Sequence, residues 1–496
     1  MEEEKGSVKR WTRRGENRRL RLSLSCMTFQ HVHLIGIGGI QMSAVAKLLH
    51  RSGVSVTGSD VAKSPQTEEL RNVGIPVSIG HDVANLPPIT ELVIYTSAVP
   101  ELNVERAEAR RRNLPQYTNF AFLGEWFQGR EVVLVTGTHG KSTTTAMLGL
   151  LCERAGLDPT VIVGSKVPQF PDGNVRFGQS DLVLIEGDEY ERHFLSFHPR
   201  GVVINNIELD HTDVFANVAD ILEAFRSLLG QIPDGGWVVA NADDPQVSTL
   251  IGQERTRLAS RHIHVVTFGC ASHADVQMKD LMPTVEGWQF SLRDEQHIVT
   301  RLRLTIPGKM NVMNATAACV AARRLKAPYD ALRETLAGFR GIWRRFEKVA
   351  ERDGMTVISD YAHHPTAVVA TIEAAKQAYP GRRIVVCFQP HHRHRTRHFF
   401  LDFIQAFDKA DAVILVEIYD VAGREQVEDR DISSHDLCDA LTRHDADRGC
   451  TRLREYAGTV VEARHGVQRI MRAGDVILIM GAGDIYTIAA DLLSTV

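Results

Sequence analysis

Short apolar runs rich in β-branched residues alternate with segments of helical periodicity along most of the chain. Such runs lie at residues 31–35, 54–57, 92–95, 132–135 and 182–185, and a glycine, hydroxyl or acidic residue follows each of them. A further run begins at residue 202 and is expected to continue as a strand to His211. A helix is expected over residues 42–50, directly after the first run. Strands that alternate with helices predict parallel sheets and an α/β fold.

The chain is longer than a single hydrophobic core usually supports, at 496 residues, so several domains are expected. The alternation falls into three blocks, which predict three tandem α/β domains over residues 30–125, 126–348 and 349–496. In the last block, strands are expected to end at Asp360, Gln389, Glu417 and Met480. In such sheets ligands bind at the carboxyl ends of the strands, where most of the unusual polar clusters of this chain lie.

Residues 1–29 differ from the rest because they are crowded with Lys and Arg and have hardly any apolar side chains. They lack the apolar core of a secretory signal. We expect a disordered basic extension, with Met27 as the true start of the protein. A basic arm that contacts RNA or a membrane is the alternative.

The composition is that of an ordinary globular protein, with 44% hydrophobic and 24% charged residues. The net charge of −4 argues against nucleic acid or an anionic membrane as the main partner. No apolar run approaches the roughly 20 residues that a membrane span needs. The 7 cysteines are scattered and form no C-x-x-C pair, which favours a reducing, cytoplasmic location over a disulfide framework or structural zinc.

A phosphate-binding loop is the most informative motif, in residues 131–143, which read E-V-V-L-V-T-G-T-H-G-K-S-T. A strand, a glycine-rich turn and a helix N-terminus favour anions through free backbone N–H groups and the helix dipole. Lys141 adds a charge for the phosphates, and the hydroxyl of Ser142 suits Mg²⁺. The loop is a shortened form, because Val135 stands where the usual motif has its first glycine. It predicts binding of a nucleoside triphosphate, against the alternative of a simple turn with a surface lysine.

A second cluster follows two predicted strands of the central block. Its carboxylates and imidazole suit Mg²⁺ beside a triphosphate. Solvated loop residues and a hydrolytic two-metal site are the alternatives. The cluster consists of Glu186, Asp188, Glu189, His211 and Asp213.

The first block carries a glycine loop, G-I-G-G at residues 36–39, with Gln41 where a dinucleotide fingerprint has its third glycine. Asp60 follows at a distance that suits a ribose or sugar hydroxyl. A NAD site, a structural turn and a diphosphate site for another nucleotide all remain open on this pattern.

Several polar residues of the second and third blocks are also candidates for ligand binding. The amides of Asn311 and Asn314 suit a nucleobase edge, or else turn chemistry. Arg345 suits phosphate oxygens, or else belongs to a solvent-facing basic pair. The His- and Arg-rich segments 360–365 and 389–397 suit carboxylates or phosphates. A nucleic-acid patch is the rival reading of these segments, weakened by the lack of interleaved aromatic residues.

Taken in order, these motifs resemble the Mur ligase family of peptidoglycan synthesis over residues 30–496. The stretches that carry the resemblance are G-I-G-G, G-S-D, T-S-A, G-T-H-G-K-S-T, E-G-D-E, N-I-E-L-D-H, R-R-F-E, D-Y-A-H-H-P-T, F-Q-P-H and G-A-G-D-I. The resemblance implies a Rossmann-like N-terminal domain for a UDP-sugar and a P-loop-type central ATPase domain. It also implies a Rossmann-like C-terminal domain that closes on the site with the amino acid.

The resemblance implies roles for individual residues of this chain. The catalytic residues would be Lys141, Glu186, His211, Arg345, Asp360 and His363. Those that bind ATP would be Gly137, Thr138, His139, Gly140, Lys141, Ser142, Thr143, Asn311, Asn314 and Arg345. Mg²⁺ would be held by Ser142, Glu186 and His211. The sugar nucleotide would contact Gly38, Gly39, Asp60 and Ser97, and the amino acid would contact His364 and Arg395.

The implied activity is ATP-dependent addition of L-alanine to UDP-N-acetylmuramate through an acyl phosphate, by a monomer or homodimer. Joining the same sugar nucleotide to a preformed tripeptide is the nearest alternative, since Tyr190 stands where many alanine-adding relatives have Ser. A regulator that binds nucleotides without catalysis and a dehydrogenase are more distant alternatives. Two departures from the family pattern are Gln41 in the first loop and His392 in place of an Arg.

Overall fold

The computed structural model describes residues 29–295, 297–420 and 431–493 of the protein. The expected basic extension and the alternative start at Met27 lie outside the described residues, apart from Phe29. Three sheets of five, ten and six strands follow one another along the chain, each flanked by helices. The predicted three-domain α/β architecture with mainly parallel sheets is therefore confirmed.

The first sheet is parallel throughout, in the order β3-β2-β1-β4-β5. Its strands are β1 His31–Ile35, β2 Ser55–Asp60, β3 Val77–Ile79, β4 Leu92–Tyr95 and β5 Gln116–Thr118. Its helices are α1 Ile40–Arg51, α2 Pro65–Asn72, α3 Val104–Arg111 and α4 Asn119–Trp126. The strand order reverses between β1 and β4, and a crevice at such a point is where open α/β sheets bind ligands.

The second sheet has the order β15-β14-β13-β12-β11-β10-β6-β9-β7-β8, with antiparallel pairs only towards its two edges among the described residues. Its first five strands are β6 Glu131–Thr136, β7 Thr160–Ile162, β8 Val175–Arg176, β9 Leu182–Glu186 and β10 Gly201–Ile204. The others are β11 Trp237–Asn241, β12 His264–Gly269, β13 Val276–Thr284, β14 Gly287–Arg293 and β15 Ile298–Leu304. Its helices are α5 Lys141–Arg154, α6 Val218–Gln231, α7 Pro245–Ser260, α8 Lys309–Arg324 and α9 Tyr329–Gly338.

The third sheet has the order β16-β17-β21-β18-β19-β20. In it β16 pairs antiparallel with β17, and the other described pairs are parallel. Its strands are β16 Glu347–Arg352, β17 Met355–Asp360, β18 Ile384–Phe388, β19 Ala412–Val416, β20 Leu453–Ala457 and β21 Val476–Met480. The helices are α10 Pro365–Ala378, α11 Arg393–His398, α12 Phe400–Ala406, α13 Ser434–Asp447 and α14 Val460–Ile470. In the described residues, short 3₁₀ helices also lie at Val83–Asn85 and Ile485–Ile488, and a kinked 3₁₀ segment spans Tyr190–Ser196.

The apolar runs became strands because both faces of each parallel sheet are covered by helices. In β6, β9, β10, β18, β19 and β21 every residue but Glu131 is buried, which explains continuous apolar runs in place of alternation. The strands expected to end near Asp360, Gln389, Glu417 and Met480 end within one residue of those positions.

The expected strand over residues 202–211 is shorter than predicted, because β10 ends at Ile204. The chain then leaves the sheet to bond the phosphate loop. The amide oxygen of Asn206 accepts from the backbone N–H of His139 at 2.7 Å. The backbone N–H of Glu208 donates to the Thr138 hydroxyl at 2.8 Å. These contacts replace the ladder bonds that a longer strand would make.

The proposed domain boundaries fall near the ends of secondary-structure elements. The boundary at 125/126 lies at the end of α4, and that at 348/349 lies two residues inside β16. The strand β16 pairs with β17, so residues from Glu347 onward belong to the third sheet. We propose that the chain passes from the second to the third domain just before Glu347. None of the described helices is both long and apolar enough to cross a membrane.

The helix α4 packs the first domain onto the second. Phe120 of α4 stacks on His193, with ring centroids 4.5 Å apart. The backbone at Gly124 approaches so closely that a Cβ there would lie 2.0 Å from the carbonyl oxygen of Ser196. The glycine is therefore required by this domain contact.

We expect Gly124→Ala to destabilise the protein by about 1–3 kcal/mol, because the added methyl group forces α4 away from Ser196. The matched control is Gly252→Ala in α7, where a Cβ meets nothing within 4 Å. That change should stabilise by about 0.5–1 kcal/mol through helix propensity. Urea denaturation of both variants is the measurement. Equal effects of the two substitutions would contradict the close contact.

Candidate active site

The phosphate loop lies between β6 and α5, and two of its glycines have left-handed backbones. Gly137 has φ 130°, and Gly140, which precedes the first residue of α5, has φ 81°. A Cβ at Gly140 would lie 2.1 Å from the side-chain oxygen of Asn314. The loop thus needs glycine both for its turn and for the close approach of α8. Thr143, the third residue of α5, is buried behind it.

Lys141 is the centre of charge in this loop. Its ammonium donates to both carboxylate oxygens of Glu189, at 3.0 and 2.8 Å, and to the carbonyl oxygens of Gly137 and Thr138, at 2.8 and 3.2 Å. Burial disfavours the charged ammonium, but Glu189, Asp188 and then Glu186 outweigh it and raise the pKa of Lys141. The lysine is therefore a permanent cation at the mouth of the loop.

The residues expected to bind Mg²⁺ fall into two adjoining groups. The hydroxyl of Ser142 donates to Glu186 at 2.8 Å, and the backbone N–H of Gly164 donates to the other oxygen of that carboxylate at 2.6 Å. His211 instead joins Asp188 and Glu189, with one ligand atom from each residue within 4.8 Å of the others. Either group offers the oxygen and imidazole ligands that a divalent cation accepts.

Burial and neighbouring charges shift the pKa values of Asp188, Glu189 and His211. Burial is the main cause that raises the pKa of Glu189 to about 7, with Asp188 adding to it against the pull of Lys141. Burial also lowers the pKa of His211. The pKa of Asp188 is lowered, because hydrogen bonding from His193 and the charge of Lys141 outweigh its burial. His211 is thus a neutral imidazole, the form that can ligate a metal ion.

The segment of residues 205–212, which follows β10, connects the phosphate loop to the third domain through Glu208. His139 Nε2 lies 2.9 Å from one oxygen of the Glu208 carboxylate. The hydroxyl of Thr366, at the start of α10, donates to the other oxygen at 2.6 Å. His364 lies just beyond, with Nδ1 3.9 Å from Glu208. One carboxylate thus touches both domains.

Asp210 makes a buried ion pair with the third domain. Arg395 of α11 donates from Nε to Asp210 at 2.8 Å, and both side chains are buried. His363 Nε2 lies 3.9 Å from the other carboxylate oxygen. Burial would raise the pKa of Asp210, but the charge of Arg395 holds it well below its usual value. Burial, aided by the charge of Arg395, lowers the pKa of His363 well below its usual value.

Asp360, expected to be catalytic, is held by two backbone N–H groups. Its oxygens accept from the N–H groups of Phe346 and Ala362, both at 2.7 Å. Burial raises the pKa of this carboxyl group. The guanidinium of Arg345 lies over the Tyr361 ring, 4.9 Å from its centroid. Its positive charge favours the ionised form of Asp360 and so opposes the effect of burial. Asp360 therefore fixes the segment that carries Arg345.

Asn311 and Asn314 lie on the buried face of α8 and not in a loop. The Asn311 amide donates to the carbonyl oxygen of Pro307 at 2.7 Å, and Asn314 donates to Asn311 at 3.2 Å. Since Asn314 approaches Gly140, the structure places this pair beside the phosphate loop.

The residues expected to hold the sugar nucleotide lie at the carboxyl edge of the first sheet. The backbone N–H of Gly38 donates to Asp60 at 2.8 Å, and Gly39 precedes the first residue of α1. Ser97 is half-buried in the turn after β4. Gln41, which departs from the family pattern, accepts a hydrogen bond from Asn119 of α4 at 3.3 Å. His392, the second departure, has φ 65° directly before α11.

Sequence reasoning assigned no role to Glu208, Asp210, Asn206 or Thr366. The first three lie in the N-I-E-L-D-H stretch, which the sequence pattern predicts as the end of a strand. The signal that could have found them is the run of polar residues from Asn205 to His211, since a buried strand would not carry so many.

Comparisons with known proteins cover all three domains. The chain matches the models of the Mur ligase family catalytic domain at residues 31–130, the Mur ligase middle domain at 135–322 and the Mur ligase glutamate ligase domain at 344–483. It is 37% identical over 458 residues to UDP-N-acetylmuramate–L-alanine ligase of Salinibacter ruber, which covers 92% of this chain and 93% of that protein. The Symbiobacterium thermophilum enzyme of the same name is also 37% identical, with 93% of each chain covered.

Solved structures agree with this pattern. UDP-N-acetylmuramate-alanine ligase of Thermotoga maritima has a TM-score of 0.78 and 27% identity, covering 93% of this chain and 98% of that chain. A murein peptide ligase of Psychrobacter arcticus has a TM-score of 0.70 at 24% identity, covering 94% and 98%, and this likeness concerns the fold alone.

We expect Asp210→Asn to loosen the third domain from the second, because it leaves Arg395 buried without an anion. Leaving a buried charge unpaired costs about 3–5 kcal/mol. Small-angle scattering should show a larger radius of gyration, and hydrogen exchange should rise in residues 205–212 and 393–398. The control is Asp402→Asn, an exposed carboxylate in α12. An unchanged radius and exchange in Asp210→Asn would contradict the role of the ion pair.

We expect the stability of the protein to fall as the pH drops from about 6.5 to 4, in part through His364. Burial is the main cause that lowers the pKa of His364 to about 4 in the folded protein. Between these pH values the unfolded chain binds a proton that folded His364 does not, so unfolding is favoured. Above this range neither state is protonated, and below it both are.

The measurement is the thermal unfolding of His364→Gln across pH 4–7.5. Within that window, the free energy of unfolding of the variant should depend less steeply on pH than that of the wild type. The difference should be up to about 1.4 kcal/mol per pH unit. A His364→Gln slope identical to that of the wild type would show that His364 titrates alike in both states.

Proposed function

The chain belongs to the Mur ligase family, and from that premise we propose that it forms the amide bond between L-alanine and UDP-N-acetylmuramate at the expense of ATP. The product is a precursor of peptidoglycan. The observation that carries this proposal is the likeness to L-alanine ligases over the whole described architecture, at 37% identity across 92% of the chain. The phosphate loop, the acidic cluster and the facing third domain supply the chemistry that such a reaction needs.

The reaction requires activation because a carboxylate is a poor electrophile. The lactyl carboxylate of the sugar nucleotide attacks the γ-phosphorus of ATP, which breaks the bond to ADP and forms an acyl phosphate. The amine of L-alanine then adds to the acyl carbon. The tetrahedral intermediate loses phosphate and a proton to give the amide. Positioning and charge neutralisation carry such a phosphoryl transfer, without covalent catalysis by the protein.

In this scheme the phosphate loop binds ATP. We assign the ATP phosphates to the N-terminus of α5, to Lys141 and to the backbone N–H groups from Gly137 to Gly140. The phosphate oxygens would replace Glu189 as partners of Lys141, whose ammonium is already aimed into the loop. Arg345 would approach the same phosphates from the segment that joins the second and third domains.

Mg²⁺ fits the residues beside the loop, and we propose that Ser142, Glu186 and His211 hold it, with Asp188 and Glu189 close by. The fit rests on the donor set, which offers a hydroxyl, carboxylates and a neutral imidazole. When bound, the ion would neutralise charge that develops on the transferred phosphoryl group. Asp188 and Glu189 remain available to orient the ligands.

The third domain would deliver the amino acid. We propose that Arg395 receives its carboxylate, because a guanidinium matches a carboxylate with two parallel hydrogen bonds. His363 and His364 lie at the same face, held neutral by burial. Closure of this domain would exclude water, which otherwise hydrolyses an acyl phosphate.

The first domain would hold the sugar nucleotide at Gly38, Gly39, Asp60 and Ser97. We place the reaction in the cytoplasm, since six described cysteines are free, as in a reducing compartment. A monomer or homodimer would suffice, because every proposed site residue comes from one chain.

The alternative acceptor is a preformed tripeptide. A peptide ligase of Neisseria meningitides with that acceptor in its name is 27% identical, with a TM-score of 0.57 and 64% of this chain covered. The solved L-alanine ligase of Thermotoga maritima has the same 27% identity, but its TM-score of 0.78 is higher and it covers 93% of this chain. L-alanine is therefore the acceptor that we propose.

The experiment is phosphate release from ATP with UDP-N-acetylmuramate and either L-alanine or the tripeptide. We expect release only with L-alanine, and no release when Mg²⁺ is chelated. Lys141→Met should lower kcat by about 100-fold or more, because it removes the cation at the phosphates. Lys409→Met, at an exposed ion pair with Glu373, should keep wild-type activity. Release that requires the tripeptide would contradict the assignment.

A further inference from the structure

The first domain contains a buried carboxylate that none of the steps above uses. Glu105 lies in the first turn of α3, two residues after the capping residue Asn103, and is 0% exposed. Its side chain reaches under the carboxyl edge of the sheet. One oxygen accepts from the hydroxyl of Ser59 at 2.5 Å and lies 3.3 Å from His33 Nε2. The other accepts from the amide of Asn85 at 2.8 Å and from the backbone N–H of Asp82 at 3.2 Å.

These partners belong to the segments that shape the proposed sugar-nucleotide site. The carbonyl oxygen of Ser59 accepts from the backbone N–H groups of Gly36 and Ile37, at 2.8 and 3.0 Å. The next residue, Asp60, accepts from Gly38 at 2.8 Å. Ser59 therefore ties the glycine loop to β2, and Glu105 fixes the side chain of Ser59 from below.

The same carboxylate holds the loop that follows β3. The Asn85 amide donates both to Glu105 and to the carbonyl oxygen of Gly80, at 3.0 Å. The backbone N–H of Gly80 donates in turn to the carbonyl oxygen of Asp60 at 2.8 Å. Residues 80–85 are thus anchored to Glu105 and to the end of β2 together.

His81 in this loop is oriented by the network. The single hydroxyl proton of Ser59 goes to Glu105, so the oxygen of Ser59 can only accept from His81 Nδ1, which lies 3.1 Å away. Glu105 lies 3.5 Å from the same nitrogen. The network thus assigns the proton of the neutral ring to Nδ1 and leaves Nε2 as a hydrogen-bond acceptor.

We propose that Glu105 is a positioning residue for the nucleoside diphosphate sugar: it sets the glycine loop, the end of β2 and the ring of His81 without touching the ligand. This role rests on the proposed function, since it concerns the site for that substrate. The carboxylate acts as an anion, because hydrogen bonds from His33, Ser59 and Asn85 outweigh its burial and lower its pKa to about 2.

Glu105→Gln is the direct test. Each carboxylate oxygen of Glu105 accepts hydrogen bonds from donor groups. A glutamine of the same shape must therefore point its NH₂ group at one pair of these donors, which it cannot accept from. We expect the Kd for UDP-N-acetylmuramate, measured by calorimetry without ATP, to rise about tenfold or more. The KM for this substrate should rise alike, while kcat and the KM for ATP stay within about twofold.

The matched control is Glu108→Gln, one turn further along α3. Among the described residues, the Glu108 side chain bonds to Arg111 of its own helix and to the C-cap residue Arg112, so its loss should leave the Kd unchanged. A wild-type Kd in Glu105→Gln, or an equal loss of affinity for both substrates, would overturn the positioning role. Absence of binding by the wild-type chain would instead refute the proposed function itself.

Ser59→Ala tests the same role if Glu105→Gln does not fold. It removes the hydroxyl that joins Glu105 to His81 and leaves the carboxylate with three of its donors. The Kd for the sugar nucleotide should rise, and nitrogen NMR should show His81 moving from the Nδ1–H form to a mixture of tautomers. A Kd and a His81 spectrum like those of the wild type would overturn the proposal.

Discussion

The buried ion pair between Asp210 and Arg395 decides how the second and third domains face each other. Both charges are withdrawn from water, and such a pair is tolerable only while each partner stays in place. Asp210 belongs to the segment that also bonds the phosphate loop through Asn206 and Glu208. Contact between the domains and the shape of the nucleotide site are therefore set by one stretch of chain.

A second connection runs through residues 163–174, between β7 and β8. The backbone N–H of Gly164 donates to Glu186, and the hydroxyl of Ser165 donates to the carbonyl oxygen of Trp343, at the entrance to the third domain. At the other end, Asn174 donates to Ser43 of α1 at 3.1 Å and accepts from Lys47 at the same distance. All three domains thus reach the edge of the central sheet where Lys141 lies, as a reaction with three substrates requires.

The fold was predictable because buried parallel strands produce apolar runs that the sequence displays directly. The phosphate loop was equally visible, since strand, glycine turn and Lys141 follow one another in the chain. The conformation of the segment after β10 could not be predicted, because its polar residues form hydrogen bonds with His139 and Thr138, which are distant in sequence. Nor could the sequence place Asn311 on a helix or show that Asp360 bonds backbone N–H groups. The partners of Asp210 and Glu105 depend on contacts between segments far apart in the chain, which no local pattern encodes.

In the proposed mechanism, ATP activates the carboxylate of the sugar nucleotide at Lys141 before the amine attacks. The most direct measurement uses UDP-N-acetylmuramate labelled with ¹⁸O in that carboxylate, with ATP and L-alanine. Transfer through an acyl phosphate moves one labelled oxygen into the released phosphate and leaves the other in the amide, which mass spectrometry of both products would show. Phosphate free of label, with amide formed, would show that the reaction does not pass through an acyl phosphate.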